Sequence, residues 1–323
     1  MAWPGLLAGC IAATQLGFSV DQPMLAFYVT YTALALVLLL LQRWMPHERT
    51  WSQSDGQLGP DIAHTLVSTG AVQGMLAFSG MIGLSIGITM LGGSGLGLWP
   101  RQWPLALQVV LGLVVLEFAL YWAHRLAHEC LPLWYFHAVH HSVERLSIVN
   151  SGRFHFIDAV KSVLPGILLL LALGAPMDVL TWLSALGAYI GILTHCNVEM
   201  RFGVLSLIFT TPELHRWHHS MDLREGNKNY GESLVVWDWV FGTWFNENRR
   251  PPADIGVPEA MPAQFHQQIV WPFHKLFARG CDKSSAEQGA GELRERFAPK
   301  AAGLPDESWR SSRRIQEEKQ AIQ

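Results

Sequence analysis

Residues 105–141 read LALQVVLGLVVLEFALYWAHRLAHECLPLWYFHAVHH, and two signals meet in that stretch. Leu105 to Ala123 is a mainly apolar run with one acid, Glu117, near its end. Its length is close to the roughly 20 residues that a transmembrane helix needs. Directly after it come His124-Arg-Leu-Ala-His128 and His137-Ala-Val-His140-His141. A span that delivers its chain into closely spaced histidines predicts an all-α integral membrane protein with polar chemistry at one membrane surface.

The rest of the chain supports that reading. Of 323 residues, 50% are apolar and 15% charged, whereas about 25% charged residues is usual for a soluble domain. The formal net charge is −3, so there is no broad basic field and no nucleic-acid partner is expected. Cys10, Cys130, Cys196 and Cys281 are too scattered for a disulfide framework or a zinc ribbon.

Met24 to Leu41 is the clearest other span. It closes at Gln42-Arg43-Trp44-Met45-Pro46, where a cation and an aromatic suit the interface and proline stops the helix. Gly5 to Val20 is milder and reads as an ordinary or half-inserted helix. No Lys or Arg precedes Arg43, so it lacks the basic start of a secretory signal. Ile62 to Leu91 carries no Asp, Glu, Lys or Arg and exceeds one span, so tilt, a kink or a short re-entrant piece is expected. Val160 to Thr194 is interrupted by Gly174-Ala175-Pro176 and reads as a helical hairpin whose ends emerge on one side.

Four to six membrane-embedded helices are therefore expected, under a helical cap bearing the histidines. The predicted organisation is an N-terminal segment 1–23, a membrane-embedded catalytic domain 24–250, a peripheral cytoplasmic segment 251–278 and a polar tail 279–323, solvated or disordered. Most basic residues before the tail fall in the histidine-bearing segments, while Arg101 sits in a loop assigned to the opposite side. By the positive-inside rule the histidines face the cytoplasm, and a bacterial inner membrane is expected rather than the endoplasmic reticulum.

Ten of the fourteen histidines lie between His124 and His219. The third cluster is His215-Arg-Trp-His218-His219, with His155 and His195 standing singly. On a helix, residues at i, i+3 and i+4 share one side, so each cluster aims its rings together. Neutral imidazole suits iron, zinc, copper and nickel, and eight to ten such ligands exceed the needs of one ion, so two metals are expected. For His155 and His195, spacing leaves a ligand and a hydrogen-bonded structural residue both open. His47, His64, His266 and His274 lack spaced companions and read as structural or surface residues.

Glu129, Glu144, Asp158, Glu199, Glu213 and Asp222 are candidates to orient ring N–H groups. Glu213, two residues before His215, is the first of them. For any one of them a plain surface carboxylate is the more common case. Two other classes remain open. One is a zinc-dependent membrane hydrolase, although no His-Glu-x-x-His is present. The other is a metal-binding membrane transporter, although Glu117 and Asp178, the clear acids within spans, read as near their ends.

His124-Arg-Leu-Ala-His128, His137-x-x-His140-His141 and His215-Arg-Trp-His218-His219 resemble the three histidine boxes of the fatty acid hydroxylase and sterol desaturase superfamily. Asn227-Lys-Asn-Tyr-Gly231 and Trp237-Asp-Trp-Val-Phe-Gly-Thr-Trp-Phe245 are similar to its downstream pattern. The resemblance covers about Leu105 to Phe245. Where relatives often read His-Pro-x-Glu, this chain has His155-Phe-Ile-Asp158.

The resemblance implies His124, His128, His137, His140, His141, His155, His195, His215, His218 and His219 as metal ligands, with Glu213, Asp158 and Asn227 supporting them. It also implies two iron ions, O2 as co-substrate, and hydroxylation or desaturation of a lipid C–H bond. Two electrons would come from a separate donor protein, ferredoxin- or cytochrome b5-like.

Overall fold

The computed structural model describes residues 2–72, 96–200 and 202–280. Most of the expected 62–91 span, Arg201, Cys281 and nearly all of the expected tail lie outside the described residues. Among those described, the chain is helical, with two isolated bridges (Phe209 with Leu234, Ser220 with Ile255) in place of strands.

Helices α1 (Ala2–Ser19) and α2 (Pro23–Trp44) form a hairpin. Trp3, Leu7, Cys10, Thr14 and Gly17 are the buried residues of α1, and this three-four spacing makes one apolar stripe. Helix α3 (Leu58–Ala63) opens the 62–91 region and runs into a π turn, His64–Thr69. Next come α4 (Leu105–Glu129), α5 (Leu131–His141), α6 (Phe156–Leu173) and α7 (Met177–Thr194). The short helices α8 (Pro212–His218), α9 (Leu223–Gly226) and α10 (Val236–Phe241) follow, then α11 (Phe265–Gly280). Among the described residues four helices, α2, α4, α6 and α7, are long and apolar enough to cross a membrane. The molecule is an all-α membrane protein.

The α6–α7 hairpin turns at Gly174, whose φ of 90° is left-handed. Ala175 N–H donates to the Leu170 carbonyl and Gly174 N–H to that of Leu171, the pair of hydrogen bonds that ends a helix while satisfying its last carbonyls. Pro176 then leads into α7. Gly166 lets α6 approach α4, since a Cβ there would lie 2.5 Å from Leu116 Cδ1. At the turn end, Arg101 donates to the Gly174 carbonyl (2.9 Å) and the Trp99 indole to Gln108 (2.8 Å). The loop carrying Arg101 and Trp99 thus sits at the end of the bundle opposite His124, the start of α6 and the end of α7.

Two expectations change. The span assigned to Leu105–Ala123 continues without a break to Glu129, so His124 and His128 belong to the spanning helix itself. Glu117 therefore lies in mid-helix rather than near an end, and it is buried.

Candidate metal centre

Nine imidazoles converge in two groups. His124, His128, His137, His141 and His218 form one, and His140, His195, His215 and His219 the other. Within each group the ring nitrogens lie within 4.8 Å of one another, and all nine side chains are buried. Helix geometry explains the division. His124 and His128 are four apart on the last turns of α4. On α5, His137 and His141 are again four apart and share a direction, while His140 turns toward the other group. The third cluster mirrors this: His215 and His219 point one way and His218 the other. His195 arrives from the C-terminus of α7.

The tautomers follow from what lies behind each ring. His124 Nδ1 donates to the Tyr230 carbonyl (2.8 Å), His218 Nδ1 to that of Lys228 (2.7 Å), and His128 Nδ1 to Asn227 Oδ1 (3.2 Å). His137 Nδ1 donates to Asp158 Oδ2 (2.9 Å), His140 Nδ1 to the Arg153 carbonyl (3.3 Å) and His195 Nδ1 to that of Gly191 (3.1 Å). With Nδ1 carrying the proton, each Nε2 presents a bare lone pair inward. Burial, reinforced by neighbouring rings, holds His137, His140, His141, His215 and His219 well below the usual imidazole range. Burial takes His195 and His218 down to about 4. The rings are neutral and available as ligands.

Those inward nitrogens stand close together. Nε2 to Nε2 distances are 3.1 Å for His128–His141 and His141–His137, 3.0 Å for His195–His215 and His215–His219, and 3.5 Å for His140–His195. Where both partners hold their proton on Nδ1, no hydrogen lies between the facing lone pairs, so the contact is repulsive without a cation. Metal–nitrogen bonds of about 2.1 Å put neighbouring ligand atoms about 3 Å apart. Among the described residues His124 Nε2 and His218 Nε2 are buried without a hydrogen-bond partner, a costly state unless a ligand completes it. Two all-nitrogen groups able to bind metal fit the residues present.

One strap supports much of the first group. The stretch Asn227–Gly231 supplies the acceptors for His128, His218 and His124. It is fixed by Asp238, whose carboxylate accepts from Tyr230 N–H (2.8 Å), Gly231 N–H (2.8 Å) and Thr243 Oγ1 (2.7 Å). Asn229, at φ 55°, donates to the carbonyls of Leu214 and Phe245 and accepts from Phe245 N–H. Asp158, fully buried behind His137, is balanced by Lys161 at 2.7 Å.

The structure departs from the sequence reading at particular residues. His155 joins neither group: it caps α6, its Nδ1 accepting from Ile157 N–H (3.2 Å) and its Nε2 donating to the Ile269 carbonyl (3.1 Å), so both nitrogens are used. Glu213 is half-buried and engages Asn246 and Arg216 rather than a ring. Of the other acids, Glu199 pairs with His47 and Arg250, Glu129 with Arg125, and Asp222 caps α9. Asp158 and Asn227 do stand behind rings. His64 is structural, bonded to the Phe154 carbonyl (3.1 Å) and Gln268 (3.0 Å). Sequence reasoning missed Asp238 and Glu117. The signal for Asp238 was its place inside the Trp237–Phe245 pattern; Glu117 was marked only as an acid in a span.

Comparison with known proteins shows what the chain is similar to. A family model described as fatty acid hydroxylase matches residues 109–243. The chain is 47% identical over 281 residues, 85% of its length and 84% of the relative's, to the ornithine lipid hydroxylase OlsE of Rhizobium tropici. It is 32% identical over 163 residues to human alkylglycerol monooxygenase, covering 48% of this chain and 36% of that one. To the Delta(7)-sterol-C5(6)-desaturase of Nicotiana tabacum it is 30% identical over 135 residues, 41% of this chain and 47% of the relative. No solved structure matches.

Proposed function

From a chain that belongs to the fatty acid hydroxylase family, and is therefore an oxidoreductase of the lipid hydroxylase type, we propose a hydroxylase of an amino-acid-bearing membrane lipid of the ornithine class. The substrate class comes from the bacterial relative that this chain matches along most of both lengths. One observation carries the reading of the site: five plus four buried Nε2 lone pairs gathered into two groups, with the outer nitrogens of six rings committed to oxygen acceptors.

His124, His128, His137, His141 and His218 would hold one iron, and His140, His195, His215 and His219 the other. Bound there, the pair would supply the O2 activation that an unactivated C–H bond requires, with two electrons from a separate ferredoxin- or cytochrome b5-like protein. The chain's own residues prepare the site. Carbonyls of Tyr230, Lys228, Arg153 and Gly191 hold the tautomers, Asp158 orients His137, and burial keeps water from the ligand atoms. Lys161 offsets the Asp158 charge that burial would otherwise penalise.

The catalytic unit in this proposal is residues 24–250, with 1–23 packed on it, 251–278 a peripheral segment and the cluster facing the cytoplasm of a bacterial inner membrane. The test is metal content per chain on anaerobically purified protein, with Mössbauer spectra of iron-57 material, followed by lipid analysis of cells with and without the gene. Two irons in a coupled pair, and a lipid of the ornithine class gaining one oxygen, are expected. A single zinc and unchanged lipids would overturn the reading.

A further inference from the structure

One group of exposed apolar side chains lies off the spanning helices yet against one of them. Val204, Ile208, Trp239 and Val240 are 74%, 54%, 49% and 61% exposed, and Leu207 and Phe241 are exposed beside them. None belongs to a helix long enough to span. A contiguous apolar patch of this kind marks a contact surface, and its depth identifies what it contacts.

Depth is read along α4. Leu105 begins that helix beside the loop bearing Trp99 and Arg101, and at about 1.5 Å per residue His124 lies ~29 Å further on, close to the ~30 Å of a bilayer's hydrocarbon. The segment after the strap descends along this rod. Glu117, about 10 Å below His124, accepts the N–H groups of Glu232 (2.5 Å) and Ser233 (3.1 Å). Trp237 goes deeper, its indole donating to the Val114 carbonyl (3.0 Å) and its ring meeting Phe118. The chain then climbs back, with Phe241 stacked on Tyr121 and Thr243 bonded to the Tyr121 hydroxyl (3.0 Å). Residues 203–209 are tied to the same descent: Val235 N–H donates to the Ile208 carbonyl (3.0 Å), Trp239 to that of Leu207 (3.2 Å) and Trp244 to that of Ser206 (3.1 Å).

We propose that residues 203–209 and 231–241 form a re-entrant wedge inserted beside α4, with the acyl chains of the bilayer as its partner. Irregular backbone survives at membrane depth only where its polar groups are satisfied within the protein. Here a span-borne carboxylate takes two N–H groups, two indoles take the Ser206 and Leu207 carbonyls, and Val235 N–H takes that of Ile208, while the Trp237 indole ties the wedge to the Val114 carbonyl of α4. The apolar faces point outward. Surface continuity favours lipid over a protein partner, because the wedge packs directly on a helix that itself crosses the membrane. This also gives Glu117, a buried acid in a span and expensive there, a defined task as the internal anchor of the turn.

The full chain in nanodiscs of phosphatidylcholine and phosphatidylglycerol, doped with a phosphatidylcholine carrying a diazirine on its acyl chain, tests this. After photolysis and peptide mapping, adducts are expected on 204–208 and 239–241 at a yield within about threefold of those on Leu36–Leu40 of α2, and none on Leu223–Lys228. Adducts on α2 but not on the wedge, as water or a second copy covering that face would produce, overturn the proposal. A Val240→Cys spin label on a background with the four cysteines replaced by alanine gives a second reading. Greater accessibility to O2 than to a water-soluble nickel chelate is expected, as at Leu36→Cys, and the opposite order, as at Arg224→Cys, overturns it. Neither result depends on which reaction the metal centre carries out.

Discussion

The two histidine groups differ in what holds them. Four of the five rings in the larger group have a named acceptor on Nδ1, three of them on the strap 227–231 and the fourth on a buried carboxylate. In the four-ring group His140 and His195 have an outer acceptor, and His219 Nδ1 is buried with no partner among the described residues. His140 is also steadied by stacking on Phe154, at 4.2 Å between ring centres. The larger group is therefore pre-organised by distant chain, and the smaller depends on its own helices and on what it binds. A metal in the four-ring group is expected to exchange more readily than one in the five-ring group.

The largest effect comes from removing a ring on either side. His218→Ala and His140→Ala are each expected to reduce lipid oxidation to background while the chain still inserts in membranes. Bound metal should fall from two per chain toward one, read by elemental analysis beside a turnover assay. Full turnover in either variant would sink the assignment, and unequal metal loss would sharpen the contrast.

Asp158→Asn comes next. It keeps the shape but removes the charge behind His137 and leaves Lys161 without its carboxylate, so metal affinity at the five-ring group should drop about 10- to 100-fold by chelator competition. Adding Lys161→Met should recover thermal stability and leave the affinity loss in place.

The smallest effect is expected at Asp238→Ala, one step behind the acceptors. Each buried N–H left unpaired at Tyr230 and Gly231 costs about 1–3 kcal/mol. Differential unfolding in detergent should show that loss, and chelator should then strip the five-ring metal first, reversing the order in the unaltered chain. An unchanged order would break the link between strap and group.

Much of this was legible at sequence level. Apolar run length marked α2, α4 and the α6–α7 hairpin because a bilayer sets one length for every spanning helix. Gly174 and Pro176 marked the hairpin turn because glycine enters the left-handed region without steric cost and so ends a helix easily, and proline starts the next one easily. The His-x-x-x-His and His-x-x-His-His spacings marked convergence because helical angle is a local property. His155 was named as a ligand by resemblance, but its context, an isolated histidine before a helix, is equally that of an N-cap, and only the position of Ile269 shows that its second nitrogen is engaged. Glu213 was favoured by proximity in sequence, yet its helix turns it toward Asn246.

By itself the sequence determined that this is a membrane-spanning helical protein with histidines enough for two ions, since those features follow from residue type and local period, while the oxidoreductase reading came from the resemblance of its histidine boxes to a known family. Which rings share a group, which tautomer each adopts, and that 231–241 folds down beside α4 were decided by tertiary structure alone. The physical reason is that most of the acceptors behind the rings are backbone carbonyls, and the donors held by Glu117 and Asp238 are mainly backbone N–H groups. Every residue offers that carbonyl and almost every residue that N–H, so nothing in the letters distinguishes the ones that are used until the chain has folded.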